Sequence, residues 1–227
     1  MMRLTLGVLG GMGVQATGYF YDLLMGMQKV SKEQDYIDAI IYSKPSIPDR
    51  TAFITGQSDD SPLEALLHGV RLLESVGVSA IAVPCVTSHY FYDDIAQAVS
   101  VPVFNMLDET VSHTLGLGHT KVAILGTDGT LRGGVLRNAF TAQGIEVIEP
   151  EPSEQANVMD VIYKVKCGAQ VDSLSLENLT KNLCNRGAQG VILGCTELTL
   201  AAKGHRHKYI DAMEVLATAI LKEFGEL

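Results

Sequence analysis

The sequence predicts an α/β protein of two similar lobes, each with a central, mostly parallel four-stranded sheet flanked by helices. Three observations predict this fold. Short apolar segments alternate with amphipathic segments along the whole chain. The apolar segments are continuously hydrophobic, which is typical of parallel strands covered on both faces. The second half repeats the order of elements found in the first half.

The first half contains four predicted strands. A glycine loop follows the first strand, and two prolines make residues 44–50 a loop. A helix starts at Ser61, because Ser61 can cap it, Pro62 fits its first position and Glu64 completes the capping pattern. The predicted strands are residues 4–9, 38–42, 80–83 and 101–105, and the predicted helices are residues 16–30, 61–76 and 88–99.

The second half follows the same alternation. Its predicted strands are residues 121–125, 145–148 and 190–193, and its predicted helices are residues 133–143, 154–166, 174–186 and 212–224. We predict that residues 1–105 plus 207–227 form the N-terminal lobe, which carries Cys85. Residues 106–206 form the second lobe, which carries Cys195.

The internal repeat places a cysteine directly after a buried strand in each half. Residues 77–87 align with residues 187–197 at an offset of 110, which pairs Cys85 with Cys195. Ligands bind beyond the carboxyl ends of parallel strands, and a helix N-terminus lowers the pKa of a thiol. We therefore expect two reactive thiols that face one ligand. One thiolate can remove a proton next to a carboxylate while the other thiol returns a proton to the opposite face.

Four threonines lie in the loops at the predicted strand ends, where their hydroxyls could line a polar pocket; they are Thr87, Thr127, Thr130 and Thr196. The remaining cysteines, Cys167 and Cys184, are expected to be small buried hydrophobic residues. His89 stands one turn after Cys85 and is interpreted either as a pocket residue or as a buried helix histidine with satisfied hydrogen bonds.

Composition excludes several classes of protein. Apolar residues make up 47% and charged residues 19% of the chain, which excludes disorder and coiled coil. The formal charge of −9 argues against a nucleic-acid or anionic-membrane partner. No apolar run reaches the length of a membrane span, and no segment has the pattern of a secretion signal. We expect a cytoplasmic protein.

Cofactor and metal sites are not expected. Residues 11–16 fit the dinucleotide-binding fingerprint, but the second strand does not end in the acidic residue that would bind the ribose. Nicotinamide or flavin binding is therefore not predicted. His205 and His207 form an HxH pair beside Arg206 and Lys208, which favours a solvated turn over a metal site.

Four segments together resemble the PLP-independent aspartate/glutamate racemase family, in the family's order, between about residues 5 and 200. They are Gly7-Val8-Leu9-Gly10-Gly11-Met12-Gly13 with Ala16-Thr17, Pro45-Ser46-Ile47-Pro48-Asp49-Arg50-Thr51, Pro84-Cys85-Val86-Thr87-Ser88-His89, and Leu193-Gly194-Cys195-Thr196-Glu197-Leu198.

The resemblance implies a cofactor-independent racemase of an acidic amino acid, with its active site in the cleft between the lobes. It implies that Cys85 and Cys195 are the catalytic acid/base pair and that the chain is a homodimer. Arg50 and Lys166 would bind substrate carboxylates, with Lys164 as a competitor for the second role. The predicted substrate-binding residues are Met12, Arg50, Val86, Thr87, Thr127, Lys166, Thr196 and Glu197.

One departure leaves the substrate open. The family usually has Asn after the first catalytic cysteine, where this chain has Val86. Aspartate, glutamate or another amino acid therefore remains an alternative substrate. Two further readings are a related cysteine-dependent isomerase or decarboxylase of dicarboxylic acids, and a non-catalytic dicarboxylate-binding protein.

Overall fold

The computed structural model describes residues 4–171, 174–202 and 209–225 and contains two parallel sheets. His205 and His207 lie outside the described residues. The strand order is β2-β1-β3 in the first sheet and β5-β4-β6-β7 in the second. The strands are β1 (Thr5–Gly10), β2 (Asp38–Ser43), β3 (Ala80–Ala82), β4 (Lys121–Gly126), β5 (Glu146–Ile148), β6 (Gly190–Gly194) and β7 (Ile210–Asp211).

Helices flank both sheets, which confirms the predicted fold class, although the edge strand β2 stays largely exposed. The helices are α1 (Val14–Met27), α2 (Arg50–Ile54), α3 (Leu63–Ser75), α4 (Tyr92–Gln97), α5 (Met106–Gly116), α6 (Asp128–Gly133), α7 (Val135–Ala142), α8 (Pro152–Lys166), α9 (Leu174–Asn185), α10 (Thr196–Ala201) and α11 (Ala212–Glu223). Short 3-10 turns span Glu33–Asp35 and Val86–Phe91.

The predicted repeat is present in the topology. In the first sheet, β1 lies between β2 and β3, the strand before Cys85. In the second sheet, β4 lies in the same way between β5 and β6, the strand before Cys195. All of these pairs are parallel. Both β1 and β4 have five buried residues in succession after a half-buried first residue. The carboxyl ends of β3 and β6 therefore have equivalent positions in the two sheets.

The prediction of a fourth strand at residues 101–105 is wrong. Only a single bridge joins Ile81 to Val103. The Ile81 N–H donates to the Pro102 carbonyl across 2.8 Å, and the Phe104 N–H donates to the Ile81 carbonyl across 2.9 Å. Pro102 has no N–H, so this segment cannot extend the ladder as a regular strand. The first sheet consequently has three strands instead of four.

Three apolar clusters hold the layers together. The central cluster joins one face of both sheets, through Leu6 and Val8 of β1 and Val122 and Ile124 of β4, with helices α1, α5, α7 and α11 between them. The other two clusters cover the outer face of each sheet. Because the central cluster is shared, the two lobes pack on one another over an apolar surface.

The C-terminal residues contact both lobes. Strand β7 pairs with β6 of the second sheet, and α11 packs against α5 and α1. The assignment of residues 207–227 to the first lobe stays a prediction. Cys167 and Cys184 are exposed, so the expectation that they are buried is wrong. Among the described helices, none is both long and apolar enough to cross a membrane.

His89 fixes the turn that follows β3. Its Nε2 accepts a hydrogen bond from the Met106 N–H across 3.1 Å at the start of α5. Its Nδ1 therefore carries the hydrogen and donates to the Cys85 carbonyl across 3.0 Å. The ring is buried and stacks on Tyr92. His89 is thus a buried histidine with satisfied hydrogen bonds, the second of its two predicted interpretations.

Replacement of Gly129 tests the close packing of the lobes. A Cβ at Gly129 would lie 2.8 Å from the Thr51 Cα and 3.0 Å from the Thr87 Cγ2. We expect Gly129→Ala to destabilise the protein by about 1–3 kcal/mol in urea unfolding. The matched control is Gly18→Ala in α1, where no atom lies within 4 Å and stability should rise by about 0.5–1 kcal/mol. A Gly129→Ala protein as stable as wild type would contradict this packing.

Acid conditions should weaken the His89 contacts. Burial lowers the pKa of His89. Below about pH 6.5 the unfolded chain therefore binds a proton that the folded state rejects, and stability falls as pH falls. The stability advantage of wild type over His89→Gln, about 1–3 kcal/mol at pH 8, should shrink towards pH 5 in urea titrations.

The comparison between variants is needed because a second buried group titrates in the same range. Burial raises the pKa of Asp211 to about 6, which favours the folded state as pH falls. That contribution is common to both proteins and cancels in the difference. His68→Gln, at an exposed helix position, is the control. A wild-type advantage that stays constant from pH 8 to pH 5 would contradict the assigned hydrogen bonds.

Candidate active site

Cys85 and Cys195 line a single cavity between the lobes. Cys85 precedes the 3-10 turn after β3, and Cys195 directly precedes α10 after β6. Both are extended residues at a helix start, and only 6% and 5% of their surfaces are exposed. The convergence of two strand ends therefore brings together thiols that are 110 positions apart in sequence.

The structure gathers both predicted catalytic residues and all eight predicted substrate-binding residues at this cavity, whereas Thr130, the fourth of the strand-end threonines, is not part of its lining. Its described lining comprises both cysteines, the eight predicted substrate-binding residues and Thr51; those eight are Met12, Arg50, Val86, Thr87, Thr127, Lys166, Thr196 and Glu197. Their chemical roles stay predictions. Thr51 was not predicted. It follows Arg50 in the proline-rich motif, which is the signal that could have indicated it.

The cavity between the thiols is narrow and joins a larger pocket. About 10 Å³ is available there to the centre of a water molecule, which is room for one water. The adjoining outer pocket offers about 560 Å³, a volume typical of ligand sites. Both are lined by Met12, Arg50, Lys166 and Glu197. An amino acid that enters from the outer pocket must widen the gap between the lobes to reach both thiols.

A buried acidic side chain contacts one of the thiols. The Cys195 thiol donates a hydrogen bond to Glu197 Oε2 across 3.0 Å. Burial and the Glu197 charge raise the pKa of Cys195 well above its ordinary value, and Lys166 only partly opposes them. The expectation that the helix N-terminus lowers the pKa of this thiol is therefore wrong. The position of Cys195 in the sequence could not indicate the raised pKa, because the removal of water around the buried thiol outweighs the helix dipole.

Arg50 lines the cavity and has an unused hydrogen-bond donor. Its side chain is 8% exposed at the start of α2. One terminal nitrogen donates to the Pro48 carbonyl across 3.0 Å and to the Ile47 carbonyl across 3.3 Å. The buried Nε has no partner among the described residues. A buried guanidinium with a free N–H is suited to a carboxylate.

The two candidate lysines at the end of α8 have different surroundings. Lys164 is exposed and forms an ion pair with Asp160 across 2.6 Å. Lys166 lines the cavity and lies over the Tyr163 ring, 5.3 Å from its centroid. Burial lowers the pKa of Lys166, but Cys195, Glu197 and Asp49 together raise it by more. The net shift of the pKa is upward, so the ammonium stays charged. Lys166 is therefore the lysine at the site.

Three threonine hydroxyls connect the lobes at the cavity. Thr87 Oγ1 lies 3.0 Å from the Oγ1 atoms of both Thr127 and Thr130, and the latter two are 3.1 Å apart. Thr87 belongs to the first lobe and the other two to the second. Thr87 and Thr127 line the cavity, so their buried hydroxyls can reorient towards a polar ligand, and Thr130 supports them from behind.

The glycine loop after β1 is closed by the protein itself. The Gly11 N–H donates to Thr17 Oγ1 across 2.8 Å. A Cβ at Gly11 would lie 2.5 Å from the Lys44 backbone, and its φ is +94°. The Gly11 N–H is therefore bonded within the protein, while residues 11–15 line the outer pocket. Over the described ranges, no group of three or more His, Cys, Asp or Glu side chains could hold a metal ion.

Comparison with known proteins identifies the family. The sequence model of the Asp/Glu/Hydantoin racemase family matches residues 9–220. The chain is 31% identical to the broad specificity amino-acid racemase RacX of Bacillus subtilis over 202 residues, which cover 85% of each protein.

Solved structures agree with the family match. Picrophilus torridus aspartate racemase superimposes with a TM-score of 0.88 at 28% identity, covering 99% of this chain and 95% of that one. An aspartate racemase homologue of Pyrococcus horikoshii gives 0.78 at 26% identity, covering 99% of this chain and all of that one. The family resemblance of the four motifs is thereby confirmed, and this chain belongs to the Asp/Glu/Hydantoin racemase family.

Proposed function

We propose that this chain is a cofactor-independent racemase that inverts the α-carbon of an acidic amino acid, aspartate or glutamate, with Cys85 and Cys195 as its two acid/base groups. The observation that carries the proposal is the lining of one cavity by two thiols from equivalent strand ends. Membership of a family whose named relatives are racemases, and thus isomerases, supports it.

In the proposed reaction the two thiols act on opposite faces of the substrate. The thiolate of one cysteine takes the α-hydrogen, and the electron pair of the broken C–H bond moves into the substrate carboxylate. The thiol of the other cysteine then gives its proton to the opposite face and becomes a thiolate. The threonine hydroxyls of the cavity would donate hydrogen bonds to the carboxylate as its charge grows.

Two cations in an acidic chain favour a substrate with two carboxylates. Arg50 offers its free Nε, and Lys166 keeps its charge although it is largely buried. A carboxylate that leaves water needs a paired charge, so each cation can accept one of the two groups. We further propose, from the family resemblance alone, that the protein works as a homodimer, and from its composition, that it acts in the cytoplasm.

A wider range of amino acids is the second candidate. Val86 puts a buried apolar side chain at the cavity, next to Cys85, where the family usually has Asn. An apolar wall contributes no hydrogen bond that would select a polar substrate. The similarity to a broad specificity racemase supports the same alternative. Proton–deuterium exchange over a panel of L- and D-amino acids, without added PLP, identifies the substrate by loss of its α-proton NMR signal.

Removal of either thiol should stop inversion. We expect Cys85→Ser and Cys195→Ser each to lower racemisation at least about 100-fold, because a serine hydroxyl is a much weaker acid/base group. Each variant should still exchange the α-proton of one enantiomer, the one whose hydrogen faces the remaining thiol. Full racemisation by either variant, measured by chiral chromatography, would contradict the two-thiol mechanism.

Neutralisation of Lys166 should weaken catalysis far more than neutralisation of its neighbour. We expect Lys166→Met to lower kcat/KM by about 10–100-fold, because a desolvated substrate carboxylate loses its charged partner. The matched control on the same helix is Lys164→Met, which removes only an exposed ion pair and should stay within about twofold of wild type. Equal losses in the two variants would contradict the assignment of Lys166.

A further inference from the structure

The two thiols have unequal surroundings although they occupy equivalent positions of the repeat. Cys195 donates a hydrogen bond to the Glu197 carboxylate across 3.0 Å in the buried cavity. The residue two positions after Cys85 is Thr87, whose hydroxyl contacts Thr127 and Thr130 instead. Within the described ranges, the hydrogen bonds of Cys85 all involve its main chain. Only one of the two thiols therefore lies against a carboxylate.

We propose that Glu197 holds a proton on Cys195 in the resting enzyme, so that Cys195 is poised as the acid and Cys85 as the base. This inference rests on the proposed racemisation and assigns an initial role to each thiol. The enantiomer whose α-hydrogen faces Cys85 then reacts with the resting form directly. The other enantiomer must wait until the proton has moved from Cys195 to Cys85.

The proton balance of the proposed cycle explains why Glu197 matters. The Cys85 thiolate takes the α-hydrogen as the C–H bond breaks, and an S–H bond forms. The Cys195 S–H bond then breaks, a new C–H bond forms on the opposite face, and a Cys195 thiolate remains beside the Glu197 carboxylate. Because two adjacent negative charges in a buried site repel each other, Cys195 regains a proton from water while Cys85 releases one.

The charges around Cys195 agree with this assignment. Glu197 faces it from α10, and Lys166 faces it from α8, while Asp49 and Arg50 at the start of α2 act on Lys166. Burial and Glu197 raise the pKa of the Cys195 thiol, and Lys166 lowers it. The net direction is upward, so burial and the carboxylate outweigh the cation.

The test has to be made on the thiols themselves. A racemisation has an equilibrium constant of unity, so kcat/KM is equal in the two directions whichever thiol holds the proton. Alkylation by iodoacetamide, a small neutral reagent, reports the thiolate at each cysteine when the modified peptides are resolved by mass spectrometry. Cys85 and Cys195 are almost equally buried, so each serves as an accessibility control for the other.

The rate of alkylation of each cysteine is measured against pH. In the wild type we expect the pH midpoint of this profile to be lower for Cys85 than for Cys195. Glu197→Gln keeps the side-chain shape and removes the charge, so it should lower the midpoint of Cys195 by about 1–3 pH units and leave that of Cys85 in place. Glu197→Asp keeps the charge on a shorter side chain and should give an intermediate midpoint for Cys195. Circular dichroism spectra confirm that each variant is folded.

Asp49→Asn is the matched control. It removes another carboxylate that lines the outer pocket, and Asn preserves the cap that Asp49 provides to α2. The Cys195 midpoint should not move in this variant. The proposal is overturned if Glu197→Gln leaves the Cys195 midpoint unchanged, if it shifts both cysteines equally, or if Cys195 has the lower midpoint in the wild type. If the midpoints are as expected but the protein does not racemise an acidic amino acid, only the proposed function is overturned.

Discussion

The convergence of two strand ends on one cavity is the constraint on which the rest of the site depends. A parallel strand places the residue that follows it at the carboxyl edge of its sheet, and β3 and β6 occupy corresponding places in two sheets of the same topology. The shared apolar cluster, through α1, α5, α7 and α11, holds those edges towards each other. Two thiols in one buried cavity are the direct consequence.

The repeat supplies equivalent positions but unequal chemistry. On the Cys195 side, a buried carboxylate and the Lys166 ammonium act on the thiol itself. On the Cys85 side, His89 holds the main chain of the turn to α5, and the threonine hydroxyls join the lobes. Opposite faces of a substrate can therefore meet groups of different protonation. An enzyme that interconverts mirror images does not need two identical bases.

The sequence predicts the parts of the structure that have a local signal. The apolar strands β1, β4 and β6, helix α3 and the repeat around both cysteines were all predictable, because periodicity and spacing encode them. Helix α3 begins at Leu63 with Pro62 as its N-cap, two residues later than predicted, and Ser61 Oγ accepts a hydrogen bond from the Leu63 N–H. The four family motifs contain eight of the ten predicted residues at the cavity; Thr127 was indicated by its loop after a predicted strand, and Lys166 by the family resemblance outside the motifs. Helix α2 was not predicted, since five residues after a proline-rich loop carry no periodicity, and neither was β7, which has only two residues.

Other features depend on contacts that no local pattern encodes. The segment around Pro102 looks like a strand, but the missing N–H reduces it to one bridge. The thiol of Cys195 stands at a helix start, but the buried Glu197 two residues later reverses the expected direction of its pKa. Burial of both groups arises only when the lobes close, so composition and spacing could not show it.

A crystal structure with a bound amino acid tests the central claim most directly. The ligand should be the amino acid whose α-proton exchanges, bound to a variant that cannot turn it over. The account predicts that the α-carbon lies between the two sulfur positions, with each at about 3–3.5 Å on opposite faces. The account would be contradicted by an amino acid that binds only in the outer pocket. It would also be contradicted by an α-carbon that has one sulfur position close to it and the other far from it.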